Sequence, residues 1–100
     1  MKAVVVLGDS RVAVRELAKP EVRPGWVLVK IKVGGICGSD LHFYHDTPES
    51  LGTRVGQAIG HEPAGVVEAI GDGVKSVAPG DRVSVYHWLA CGHCHYCRMG

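Results

Sequence analysis

From residue 26 to residue 33 the side chains alternate, with Val27, Val29, Ile31 and Val33 on one side and Leu28, Lys30 and Lys32 on the other. A period of two over about eight residues specifies a half-buried strand and fits no helix. Gly34-Gly35 breaks that strand, and Ile36-Cys37-Gly38-Ser39-Asp40-Leu41-His42 stands directly behind the break. The same punctuation recurs along the chain. Residues 2–7 are β-branched and apolar, Gly8-Asp9-Ser10 turns them, and residues 11–17 alternate as the return strand of a hairpin. Ala18-Lys19-Pro20 and Arg23-Pro24-Gly25 are breakers. Residues 63–70 form a β-rich run closed by Gly71-Asp72-Gly73, and residues 81–86 alternate after the turn at Pro79-Gly80. Five or six short strands with little helix predict a mainly β fold, a small and partly open antiparallel barrel. One short helix is expected at residues 37–45, with Ser39 or Asp40 near its start as a cap. Residues 46–58, with Thr47, Pro48, Ser50, Gly52 and Gly56, read as a surface loop.

A chain of 100 residues suffices for one domain and not for two. With 46% hydrophobic and 21% charged residues it has an ordinary globular composition. A formal charge of +1 leaves no electrostatic footprint for nucleic acid or an anionic membrane, so neither is an expected partner. The apolar opening at residues 3–7 is far too short to span a bilayer. It is also shorter than a signal-peptide core and lacks a small-residue cleavage site, so cytoplasmic residence is the expectation. In a reducing compartment the four cysteines favour metal over disulfides.

Their spacing agrees. Cys91, Cys94 and Cys97 follow a CxxCxxC pattern, and Cys37 stands alone far upstream. Cys37 finds its counterpart in Gly60-His61-Glu62. A thiol, an imidazole and a carboxylate, each beside glycine, suit a divalent metal better than a core. Zinc takes all three donor types, and a catalytic zinc keeps one position open for water or substrate. Cys37 and His61 are the expected ligands, with Glu62 the third ligand or its close neighbour. Gly71-x-Gly73-x-x-Ser76 echoes a dinucleotide fingerprint, but the third glycine is missing and Val77-Ala78-Pro79-Gly80 cannot open a helix. It reads as a turn between strands.

The run G-H-E-P-A-G-V-V-E-A-I-G-D-G-V from Gly60 has Gly65, Gly71 and Val74 at the spacing G-H-E-x2-G-x5-G-x2-V. It resembles the zinc signature of the medium-chain alcohol and polyol dehydrogenases. Gly35-Ile36-Cys37-Gly38-Ser39-Asp40 resembles that family's first-ligand segment, and Cys91, Cys94 and Cys97 resemble its structural-zinc lobe. The resemblance covers the whole chain but only the N-terminal part of such enzymes. It implies a GroES-like, partly open β-barrel with a zinc lobe, residues 1–100 being the N-terminal catalytic domain. That domain is expected to be incomplete at its C-terminus, with the nucleotide-binding domain absent and this piece inactive alone. The implied reaction is oxidation of an alcohol or polyol to a carbonyl, with NAD or NADP as hydride acceptor and a homo-oligomeric full-length enzyme. Zinc would act as a Lewis acid on the alcohol oxygen. Ser39 and His42 match the proton relay, His42 lying beside the cofactor ribose, and Asp40 matches the carboxylate that orients the zinc-binding imidazole. The third catalytic ligand is either Glu62 or a residue well downstream. The family's fourth structural cysteine lies past Gly100; His87, His93 or His95 are the alternatives in this chain, His93 and His95 reaching inward poorly.

Three rival readings remain. A stand-alone co-chaperonin leaves the ordered cysteines and histidines unexplained. A zinc-free quinone reductase of the same superfamily has no need of Cys37 with His61. A small structural zinc module would bind metal at residues 91–97 alone.

Overall fold

A computed structural model describes residues 1–99. Its order is β1 (Lys2–Gly8), β2 (Arg11–Glu16), β3 (Val27–Gly35), α1 (Gly38–His45), α2 (Pro48–Leu51), a 3-10 turn (Gly52–Arg54), β4 (Glu62–Ile70), β5 (Arg82–Ser84) and α3 (His95–Met99). Among the described residues the strands form two antiparallel sheets, β1-β2 and β3-β4-β5, and no closed barrel. The mainly β expectation therefore holds, with more short helices than the one foreseen.

The β1-β2 hairpin turns through Asp9 and Ser10, both with positive φ (52° and 56°), as a two-residue turn between right-twisted strands requires. That turn caps α1 from outside. The amide of Ser10 donates to the carbonyl of Tyr44 and that of Asp9 to the carbonyl of Asp46, each at 2.8 Å. Ser10 Oγ lies 3.0 Å from Nδ1 of the exposed His45. On its other edge β1 binds residues 56–59: Val6 N–H to Gln57 at 3.1 Å, Gly56 N–H to Val6 at 2.7 Å and Ile59 N–H to Val4 at 3.1 Å. The segment that delivers Gly60-His61 is thus laid along β1 as an extra strand edge.

Residues 46–58 are not a continuous loop, since 48–51 form α2 and 52–54 the 3-10 turn. Thr47 caps α2 through the amide of Ser50 (3.3 Å), with Pro48 as the first helical residue, where its missing N–H costs nothing. Polar composition hid the anchor, Leu51, which is 3% exposed. The buried apolar set among the described residues is Val5, Val6, Leu51 and Val67. The alternation of β3 predicts burial of Ile31 and Val33, yet they are 51% and 62% exposed. Register irregularities at Leu28/Val29 and Ile31/Val33 interrupt the pleat, and no described element covers that end of the sheet. Gly71 closes a turn on Val74 N–H at 3.2 Å, in keeping with the turn reading of that glycine pair.

Leu51→Ala should destabilise the protein by about 3 kcal/mol, the usual cost of emptying a buried leucine site. Urea unfolding measures it, and a loss below about 0.5 kcal/mol would mean that the segment behaves as surface after all.

Candidate metal centre

The pairing of β3 with β4 brings the upstream cysteine motif to the downstream histidine. Gly35 lies opposite Glu62 at the end of the ladder. Cys37 then follows two residues beyond β3, and His61 one residue before β4. Glycine is needed at two points here. Gly60 has φ +100°, a conformation other residues rarely adopt, and a Cβ on Gly35 would run into the Glu62 carboxylate. The thiol of Cys37, the imidazole of His61 and the carboxylate of Glu62 put one ligand atom each within 4.8 Å of one another. Donors around one tetrahedral zinc lie about 3.4–3.8 Å apart, so small side-chain rotations bring the trio onto an ion. Donor chemistry and spacing both fit the metal.

Asp40, 8% exposed, is the buried charged residue that holds this arrangement. One carboxylate oxygen accepts the Cys37 amide at 2.9 Å and the other lies 3.3 Å from His61 Nδ1. Cys37 is thus the N-cap of α1, and of the two residues expected to cap its start it is Asp40 that does so, from the third helical position. Ser39 turns its hydroxyl toward His61, 3.4 Å from Nε2. The Ser39 hydroxyl, then its amide and the His61 ring, lower the pKa of Cys37. The Cys37 thiol, with the Asp40 and Glu62 carboxylates, raises that of His61. Thiolate and imidazolium are thus favoured together. His42 is exposed one turn further along α1.

The second cluster is Cys91, Cys94 and Cys97, whose sulfurs also lie within 4.8 Å of one another. Cys97 Sγ is 3.6 Å from Cys91 Sγ and 3.5 Å from Cys94 Sγ, close to the separation around zinc. The two residues between each pair supply the turn, closed by Cys94 N–H on Cys91 Sγ at 3.3 Å, and α3 presents Cys97. The amide of His93, followed by that of Cys94, holds the Cys91 thiol down to about 7. His93 commits Nδ1 to the Cys91 carbonyl at 2.7 Å. The ring nitrogens of His87 do not join these sulfurs within 4.8 Å. The ring stacks edge-on against His61, centroids 5.3 Å apart, a neighbour that sequence spacing gave no signal for.

An alcohol dehydrogenase GroES-like domain model matches residues 23–100. Sorbitol dehydrogenase of Bacillus subtilis is 38% identical over 103 residues, taking in 100% of this chain and 29% of that protein. Among solved structures, alcohol dehydrogenase TADH from Thermus sp. ATN1 superposes with a TM-score of 0.85 at 43% identity, over 99% of this chain and 28% of that one. An NADH complex of the alcohol dehydrogenase RspB from Escherichia coli CFT073 gives 0.79 at 37% identity, over 99% and 28%. The chain thus spans under a third of the length of these proteins. Among the described residues no helix is long and apolar enough to cross a membrane.

Thiols react with alkylating agents as thiolates. In metal-free protein Cys91 should therefore be carboxymethylated with a rate midpoint near pH 7, and metal should suppress the reaction. Peptide mapping after brief iodoacetate exposure checks it; a midpoint above pH 8 would contradict the hydrogen bonds assigned to that sulfur.

Proposed function

The chain belongs to the zinc-dependent medium-chain alcohol dehydrogenase family, and on that premise we propose that it is the zinc-holding part of an enzyme oxidising an alcohol or polyol to a carbonyl. The observation that carries this reading is the convergence of Cys37, His61 and Glu62 within 4.8 Å, with the Ser39 hydroxyl 3.4 Å from His61. Cys37 and His61 would hold the catalytic zinc, with Glu62 as third donor. One thiolate and one carboxylate balance the two positive charges, and the imidazole adds none. When bound, zinc supplies the Lewis acidity that brings an alcohol hydroxyl toward neutrality. NAD or NADP is the hydride acceptor, as the NADH complex of a relative suggests.

The chain's own groups supply the rest. Asp40 fixes the ring of His61 through Nδ1, which leaves Nε2 directed at the cluster. The Ser39 hydroxyl can accept the substrate proton and pass on its own, and His42, a turn along α1 and open to water, can release it. His42 is also the residue of this chain that would meet the cofactor ribose. Oxidation removes one proton and one hydride from the alcohol, and NAD or NADP, when bound, would supply the acceptor for the hydride. Cys91, Cys94 and Cys97 would hold a second, structural zinc. Residues 1–100 act as the GroES-like catalytic domain of a cytoplasmic homo-oligomer. A structural zinc module without catalysis explains only the second cluster, and a co-chaperonin neither.

In the full-length enzyme, Cys37→Ser or His61→Ala should remove one zinc equivalent and most turnover while the circular dichroism spectrum stays unchanged. Full activity with unchanged zinc content in either variant would end the proposal. His42→Gln should keep both zinc ions and slow oxidation roughly tenfold below neutral pH, about 1.4 kcal/mol of barrier. Zinc content measured beside the pH profile decides between outcomes: lost metal makes His42 a ligand, and an unshifted profile at full rate makes it a bystander.

A further inference from the structure

Between α1 and residues 54–61 the fold leaves a cavity of about 220 Å³, where one water needs only about 10–15 Å³. Val6, Phe43 and Ile59 give it apolar walls, and Arg54 and Gln57 line it with polar side chains. Of the metal trio only His61 is on this wall.

Arg54 closes the 3-10 turn, and its guanidinium carbon stands 5.4 Å over the centre of the Phe43 ring. That is inside the distance of about 6 Å at which an aromatic face holds a cation. The ring engages the charge without consuming any of the five N–H donors. Among the described residues the ion pairs are made by the N-terminus, Arg11, Lys19 and His61, and none by Arg54. Arg54 is exposed, so a dissolved anion can reach it.

The carboxylate on the wall is that of Asp40. One of its oxygens accepts the Cys37 amide at 2.9 Å and the other faces His61 Nδ1 at 3.3 Å, so Asp40 is already committed. A neutral polyol would leave the guanidinium charge unanswered. A carboxylate or a phosphate instead accepts two parallel N–H bonds from the guanidinium fork.

We propose that this cavity binds a small organic anion, with Arg54 as the anchor for its carboxylate or phosphate group. The Gln57 carboxamide supplies a further donor, and Val6, Phe43 and Ile59 lie against the carbon chain. Arg54 is not a metal donor, so the inference does not rest on zinc being held by the trio.

The test is calorimetric titration of the full-length protein with three ligands of matched six-carbon chain: sorbitol, gluconate and sorbitol 6-phosphate. At least one anion should bind saturably, about tenfold or more tighter than sorbitol, and more weakly as sodium chloride is raised. The anion that binds tighter identifies the charged group the site reads. Arg54→Gln should weaken that binding about tenfold or more with an unchanged circular dichroism spectrum. A hydroxy acid can also ligate zinc, and the variant separates the two cases. Anion affinity unchanged in Arg54→Gln puts the ligand elsewhere and overturns this inference, leaving the metal centre standing. Sorbitol binding as tightly as both anions overturns it as well.

Discussion

Everything at the candidate metal centre depends on one stretch of antiparallel pairing, in which the last residues of β3 lie against the first residues of β4. Gly34 faces Pro63 and Gly35 faces Glu62, so the two motifs emerge side by side from the same end of one ladder. A slip of one residue would reverse the faces of both strands and carry the thiol away from the imidazole. The ladder also explains why Gly35 is bare, since Glu62 leans across it. Hydrogen bonds that cost little individually thereby set the separation of groups distant in sequence, leaving only side-chain rotation to complete the site.

A second constraint acts from behind. The β1-β2 hairpin holds the C-terminal end of α1 with two turn amides, while the outer edge of β1 holds residues 56–59. Helix and histidine segment are therefore both referred to β1. Asp40 joins the two, one oxygen on the amide that begins the helix and the other on the imidazole. Its near-complete burial is satisfied on both oxygens, which is the condition for a carboxylate to be buried cheaply.

How much of this was legible in the sequence follows from which interactions are local. Turns written by Asp9-Ser10 and Gly71-Asp72-Gly73 punctuated the strands correctly, because backbone conformation is a property of the residue itself. Gly34-Gly35, expected to break the strand, are instead the last paired residues of β3, where a bare Cα leaves room for Glu62. The cysteine triplet showed through its spacing alone. What stayed hidden was tertiary. Leu51 is a single apolar residue in a polar stretch, and periodicity cannot register one anchor. The exposure of Ile31 and Val33 reflects what covers a sheet face, which alternation does not encode. His87 was weighed for the cysteine lobe because it is near in sequence, whereas its ring stacks against His61 instead.

Four apolar side chains buried among the described residues are a slender core for a chain of this size. A ligand that binds only the folded form adds RT ln(1 + [L]/Kd), about 2.7 kcal/mol at a hundredfold excess over Kd. Such a contribution is a sizeable fraction of the roughly 5–15 kcal/mol that separates folded from unfolded forms of an ordinary domain. A metal held by Cys37, His61 and Glu62 would then add to the stability of the folded chain, and lower its exposure to proteolysis, besides serving any reaction.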